Sequence, residues 1–178
     1  MRRLLGVLTI VAIAVLLLEV SPGAARGGLP PPAQASAAEQ NLAIIVNQSN
    51  TVNDISLKEL RTVLLGERSH WPNGRRITLV MMDPGMAERN AVLRDICRMN
   101  ETEFSRHFLR GLFTGEVFVS PKTLSSPTGV RKFVFNVPGA IGYVRATDVD
   151  GTVKVIKVNG HGVEDADYPL HIELKPSN

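Results

Sequence analysis

"ITLVMMDPGMAERNAVLRDIC", Ile77 to Cys97, passes from an apolar run through a Pro-Gly turn into a helical pattern. Ile77–Met82 is apolar almost throughout and β-branched at its start, which suits a strand covered on both faces. Val92, Leu93, Ile96 and Cys97 then recur at helical spacing. A buried strand feeding a helix through a tight turn is the unit of a layered α/β fold. In the turn, Asp83 is expected to cap the helix, with Pro84 and Gly85 shaping its entry. The competing use is an anion held on the free amides of the helix start.

The flanking segments follow the same alternation. "NLAIIVN", Asn41 to Asn47, reads as a buried strand. "SLKE" places Ser56 and Glu59 as a capping box, and Leu57, Leu60, Leu64 and Leu65 form that helix's apolar face before Gly66 ends it. Asn100 and Glu103 make a second capping-box pair, and the helix they open is expected to turn Phe104, Phe108, Leu109, Leu112 and Phe113 inward. Ser126-Pro127 starts a third helix, in which Val130, Phe133, Val134 and Val137 follow helical spacing. "PGAIGYV", Pro138 to Val144, is a turn into a strand whose Gly142 implies close approach of another backbone. Asp150-Gly151 then reads as a hairpin turn, with "TVKVIKV" as the returning strand. The expected class is α/β, a mixed sheet flanked by helices.

Arg2 and Arg3 precede the apolar run Leu4–Leu18, and "AQASAAEQ" follows with small-residue cleavage options. That is the pattern of a secretory signal peptide, or of an N-terminal anchor if it stays uncleaved. Both place the rest of the chain outside the cytoplasm, periplasmic or secreted, with membrane contact only through that segment. Residues 1–38 are therefore expected to be leader plus a Pro/Gly/Ala-rich tether, and residues 39–178 the folded domain. From Glu39 onward 17 basic and 16 acidic residues leave +1, so the pI of about 9.3 gives no reason to expect a nucleic-acid partner.

Catalytic and metal chemistry have little support. His70, His107, His161 and His171 lack zinc-ligand spacing, and neither a nucleophile elbow nor a phosphate-cradling Gly-Lys-Ser/Thr loop occurs. The single cysteine, Cys97, reads as a buried structural thiol. No enzyme, metal or cofactor is expected. "VNQSNTVND" offers Asn47, Ser49 and Asn50 just beyond a strand end, as ligand donors or as turn formers. Ser125, Ser126 and Thr128 form a helix start of the same kind. Trp71 either docks on the core or anchors a partner surface.

"IIVNQSNTVNDISLKELRTVLLGERSHWPNGRRITLV" and "VPGAIGYV" together resemble the phosphate-type substrate-binding proteins of ABC transporters. The resemblance covers most of residues 42 to 158. It implies a periplasmic binding protein type 2-like fold, here as a single lobe, in a solute-binding protein outside the cytoplasm. The implied partners are a small phosphate-like anion and an ABC permease. In that family the turn after the equivalent strand reads approximately Arg-Ser-Asp-Gly-Ser-Gly-Thr. At the matching positions this chain has Met82, Met86, Ala87 and Glu88, so the gripping guanidinium and hydroxyls are absent. Asp83, Gly85, Met86 and Arg89 remain as candidates, and the expectation is weak or altered anion binding. The alternative is an envelope interaction module that keeps the fold without the transport ligand.

Overall fold

The structure is a computed structural model and describes residues 41–172. The expected leader, anchor and tether, and the boundary at residue 39, lie outside the described residues. An interior strand of the sheet is β3 (Thr78–Met82), whose last four residues are fully buried. It pairs in parallel with β4 (Lys122–Leu124) on one side and with β5 (Ala140–Arg145) on the other. β1 (Leu42–Asn47) runs antiparallel to β5, and β6 (Val153–Val155) antiparallel to β1, giving the sheet order β4-β3-β5-β1-β6. Two short strands, β2 (Asp54–Ile55) and β7 (Lys157–Val158), pair in parallel beside this sheet. The mixed α/β sheet expected from the sequence is present.

Three of the helices begin where the caps indicated, at Ser56, Asn100 and Ser126. α1 (Leu57–Leu64) and α3 (Glu101–Thr114) each carry both halves of their capping boxes. α2 (Ala87–Ala91) continues into a π-helical turn, Val92–Cys97, whose Val92, Leu93, Ile96 and Cys97 are buried. α4 (Pro127–Asn136) starts on the Ser126 hydroxyl and packs on the sheet through Val130 and Val134.

Three details depart from the sequence reading. Only Phe104, Phe108 and Gly111 of α3 reach the core, whereas Leu109, Leu112 and Phe113 are exposed. At about 100° per residue the expected inward set spans half the helix circumference, more than one packed face covers. The core takes the side where Val117 lies against Gly111, so close that a Cβ there would sit 2.3 Å from Val117 Cγ2.

Asp150-Gly151 is a turn but not a hairpin between neighbours. β5 is already paired on both edges, by β3 and β1, so the returning strand takes the free edge of β1 instead. "TVKVIKV" also splits, contributing β6 to the main sheet and β7 to the small one.

Gly142 does meet close neighbours, but the tightest is a side chain: Val130 Cγ1 would lie 2.9 Å from an added Cβ, with the Val80 carbonyl at 3.4 Å. That contact seats α4 directly on β5.

Trp71 docks on the core. It is 3% exposed, and its indole N–H donates to the Gly139 carbonyl at 2.9 Å. His107 sits half-buried beside α1, its ring Nε2 2.9 Å from the Leu65 carbonyl.

Candidate functional site

β3, β4 and β5 run parallel, so their carboxyl ends share one edge of the sheet. Open α/β sheets take ligands in the crevice outside such ends. In this chain the edge is formed by the turn after β3, the Ser125-Ser126 step after β4, and Arg145 at the end of β5. The Asp83 N–H donates to the Leu124 carbonyl at 3.1 Å, fastening the first two together. The Met82 N–H donates to the Tyr143 hydroxyl at 3.2 Å, fastening β5 to the same place. Burial pushes the Tyr143 hydroxyl well above the ordinary phenol range, so it stays protonated and structural.

Asp83 does not cap α2. The residue before the helix is Met86, which makes no side-chain cap bond, because the Pro84-Gly85 turn carries the helix start three residues past Asp83. The Asp83 carbonyl instead accepts from the Met86 N–H at 3.3 Å, closing a turn in which Gly85 takes φ of +91°. That backbone conformation suits glycine. At α4, Ser126 Oγ accepts the Gly129 N–H at 3.1 Å and Pro127 has no N–H to offer. The Thr128 N–H is then a remaining donor of that start.

Arg89 and Arg145 at this edge are each paired with a carboxylate. Glu88, 4% exposed, holds the Arg145 guanidinium through Nε. Arg89, 5% exposed, binds Glu101 through Nε and Nη2 at 2.8 and 2.7 Å, and donates from Nη1 to the Met82 carbonyl at 2.9 Å. Its guanidinium also lies 5.3 Å from the Phe104 ring centre, on the core side of the turn. An added anion would meet two cations that already carry carboxylates, together with the charge of Asp83. Such bonds to ionised groups are the strong ones, and here they are already made.

The sequence-named residues therefore fall into two groups. Asp83, Gly85, Met86, Arg89, Ser125, Ser126 and Thr128 gather at the parallel strand ends. Asn47, Ser49 and Asn50 lie on the opposite edge, because β1 runs antiparallel to β5. There Asn47 Nδ2 donates to the Val134 and Phe135 carbonyls at 2.9 and 2.6 Å, and its Oδ1 accepts from both the amide and hydroxyl of Ser49. Ser49 Oγ accepts Arg75 Nη1 at 2.8 Å, and Asn50 Oδ1 accepts the Val52 N–H at 2.9 Å. These are turn bonds that fasten β1 to the end of α4. Thr128 also lines a recess of about 150 Å³ beside Arg131 and Asp150. Sequence reasoning missed Arg145 and Glu101. Each pairs with a residue that is distant along the chain, and nothing local announces either partner.

Cys97 is fully buried, and burial raises its thiol to about 12, in keeping with an inert core residue.

Parallel strand ends and a capped helix start are thus gathered on one edge of a mixed sheet. Solved structures of other proteins share this fold. The chain is similar to an ABC-type phosphate transport receptor from Vibrio cholerae, at 19% identity and TM-score 0.57, over 70% of this chain and 48% of that one. It is also similar to PstS from Borrelia burgdorferi, at 14% identity and TM-score 0.59, over 75% of this chain and 55% of that one. The described lobe has the fold of phosphate ABC transporter substrate-binding proteins, and the chain spans about half the length of these structures. No protein-family model matches the sequence.

Proposed function

We propose that this chain is an extracytoplasmic relative of the phosphate-type solute receptors, with a weakened small-anion site and no catalytic role. The observation that carries this reading is the pairing of Arg145 with Glu88 and of Arg89 with Glu101 at the strand ends. A lobe that keeps the ligand edge but pairs its cations internally is left with backbone amides and the remaining Arg145 N–H groups as its attraction for an oxyanion. An ABC permease is the partner this reading implies. Isothermal titration with phosphate and sulfate tests it: dissociation constants of about 1 mM or weaker are expected, equivalent to roughly −4 kcal/mol. Micromolar binding of either anion would overturn the weakened-site reading.

A second reading is favoured by a separate observation. Leu109, Leu112, Phe113 and Phe118 are exposed large apolar residues on and just after α3. Such a surface suits an envelope interaction module that uses the fold for contact rather than for transport. Its test is association of the chain with the cell envelope that depends on those side chains.

A further inference from the structure

The third helix carries three faces. Phe104, Phe108 and Gly111 pack inward, while Leu109, Leu112 and Phe113 form an outward stripe in which Phe113 is 86% exposed and Leu109 63%. Arg106 and Arg110 follow the stripe on its far side at about 100° per residue. Both arginines are exposed, and neither makes a hydrogen bond or ion pair among the described residues. Arg98, exposed before the helix, is likewise uncommitted there. Of the acidic side chains at the helix start, Glu101 is paired with Arg89, whereas Glu103 accepts the Asn100 N–H, keeps its charge and lines a recess with Arg106 and Arg110. Glu116, one residue past the helix C-cap, is exposed at the far end.

The chemistry of this surface is a ridge of protruding apolar side chains beside free guanidinium groups. A rigid protein partner would need a groove to receive the ridge, whereas the boundary between headgroups and acyl chains yields to it. Apolar side chains enter that boundary while arginine stems extend along it and leave their charge at the headgroups. We propose that this face of α3 docks on an anionic phospholipid surface, with Leu109, Leu112 and Phe113 inserted and Arg106 and Arg110 on the lipid phosphates. This goes beyond the receptor reading and does not depend on whether the strand-end site binds an anion.

Phe113→Trp in the full chain gives a reporter at the ridge, against a native background of one tryptophan, Trp71, which is 3% exposed. The probe is a vesicle of equal parts phosphatidylcholine and phosphatidylglycerol, with and without doxyl-labelled lipid. The expected result is a blue-shifted emission from the introduced indole that the doxyl lipid quenches. Both effects should be lost on pure phosphatidylcholine and lost when Arg106→Gln and Arg110→Gln are added. Far-UV dichroism of each variant checks that the fold is kept. The reporter is local, so attachment through the apolar N-terminal segment alone leaves the introduced indole unshifted and unquenched, which would overturn the proposal. A blue shift that grows with protein concentration in the absence of lipid would overturn it in favour of self-association.

Discussion

Arg145→Met is expected to destabilise the lobe by about 3–5 kcal/mol, because it leaves the Glu88 carboxylate without its partner. Glu88 has a side chain only 5% exposed, so water cannot take over the role of the guanidinium. The Met side chain roughly keeps the apolar stem, so the loss reports the charge rather than the packing. Adding Glu88→Gln should restore most of that stability, since an apolar-neutral pair no longer strands a buried charge. Urea denaturation of the two single variants and the double variant measures the coupling. Additive effects would mean that the two side chains do not act as a pair, and that the strand edge is not neutralised from within.

Trp71→Ala should cost a similar amount, about 3–5 kcal/mol, the usual range for removing a buried large aromatic side chain. Its ring is core, and its N–H holds the Gly139 carbonyl, which also accepts the Thr78 N–H at 3.1 Å. Removing the indole therefore opens a cavity and loosens the corner where β3 and β5 enter the sheet. Trp71→Phe keeps much of the volume and should cost less, the difference reflecting the lost hydrogen bond, about 1 kcal/mol, and a smaller ring. A Trp71→Ala variant as stable as the parent chain would contradict the buried position and revive the partner-anchor alternative.

Where local chemistry decides, the sequence was informative. The capping boxes at Ser56/Glu59 and Asn100/Glu103 formed as expected because both partners lie within one turn. The apolar run after Arg76 became an interior strand because residues 79–82 carry no polar side chain that needs water. The misses are tertiary. Nothing in residues 101–114 says which half of an apolar helix will find the core; that was set by Val117 folding back onto Gly111. The Asp150-Gly151 turn was visible, but whether its strands pair depends on β1 already occupying the edge of β5. At the candidate site, Asp83 through Arg89 and Ser125 through Thr128 could be picked out as helix starts. Their meeting on one edge follows from the parallel pairing of β3 with β4. Asn47, Ser49 and Asn50 had the same polar signature, and strand direction alone sends them to the other edge.

The same contrast governs function. A polar turn after a strand is a common feature; what distinguishes this edge is that its two arginines are bound by the chain's own carboxylates. A nitrogen-15 amide titration with inorganic phosphate tests that claim most directly. Shifts of the Gly85 and Thr128 amides that saturate only above about 1 mM phosphate, with Arg145 and Glu88 unmoved, are the predicted result. Saturation in the micromolar range, with the Arg145 side-chain resonance displaced from Glu88, would contradict it.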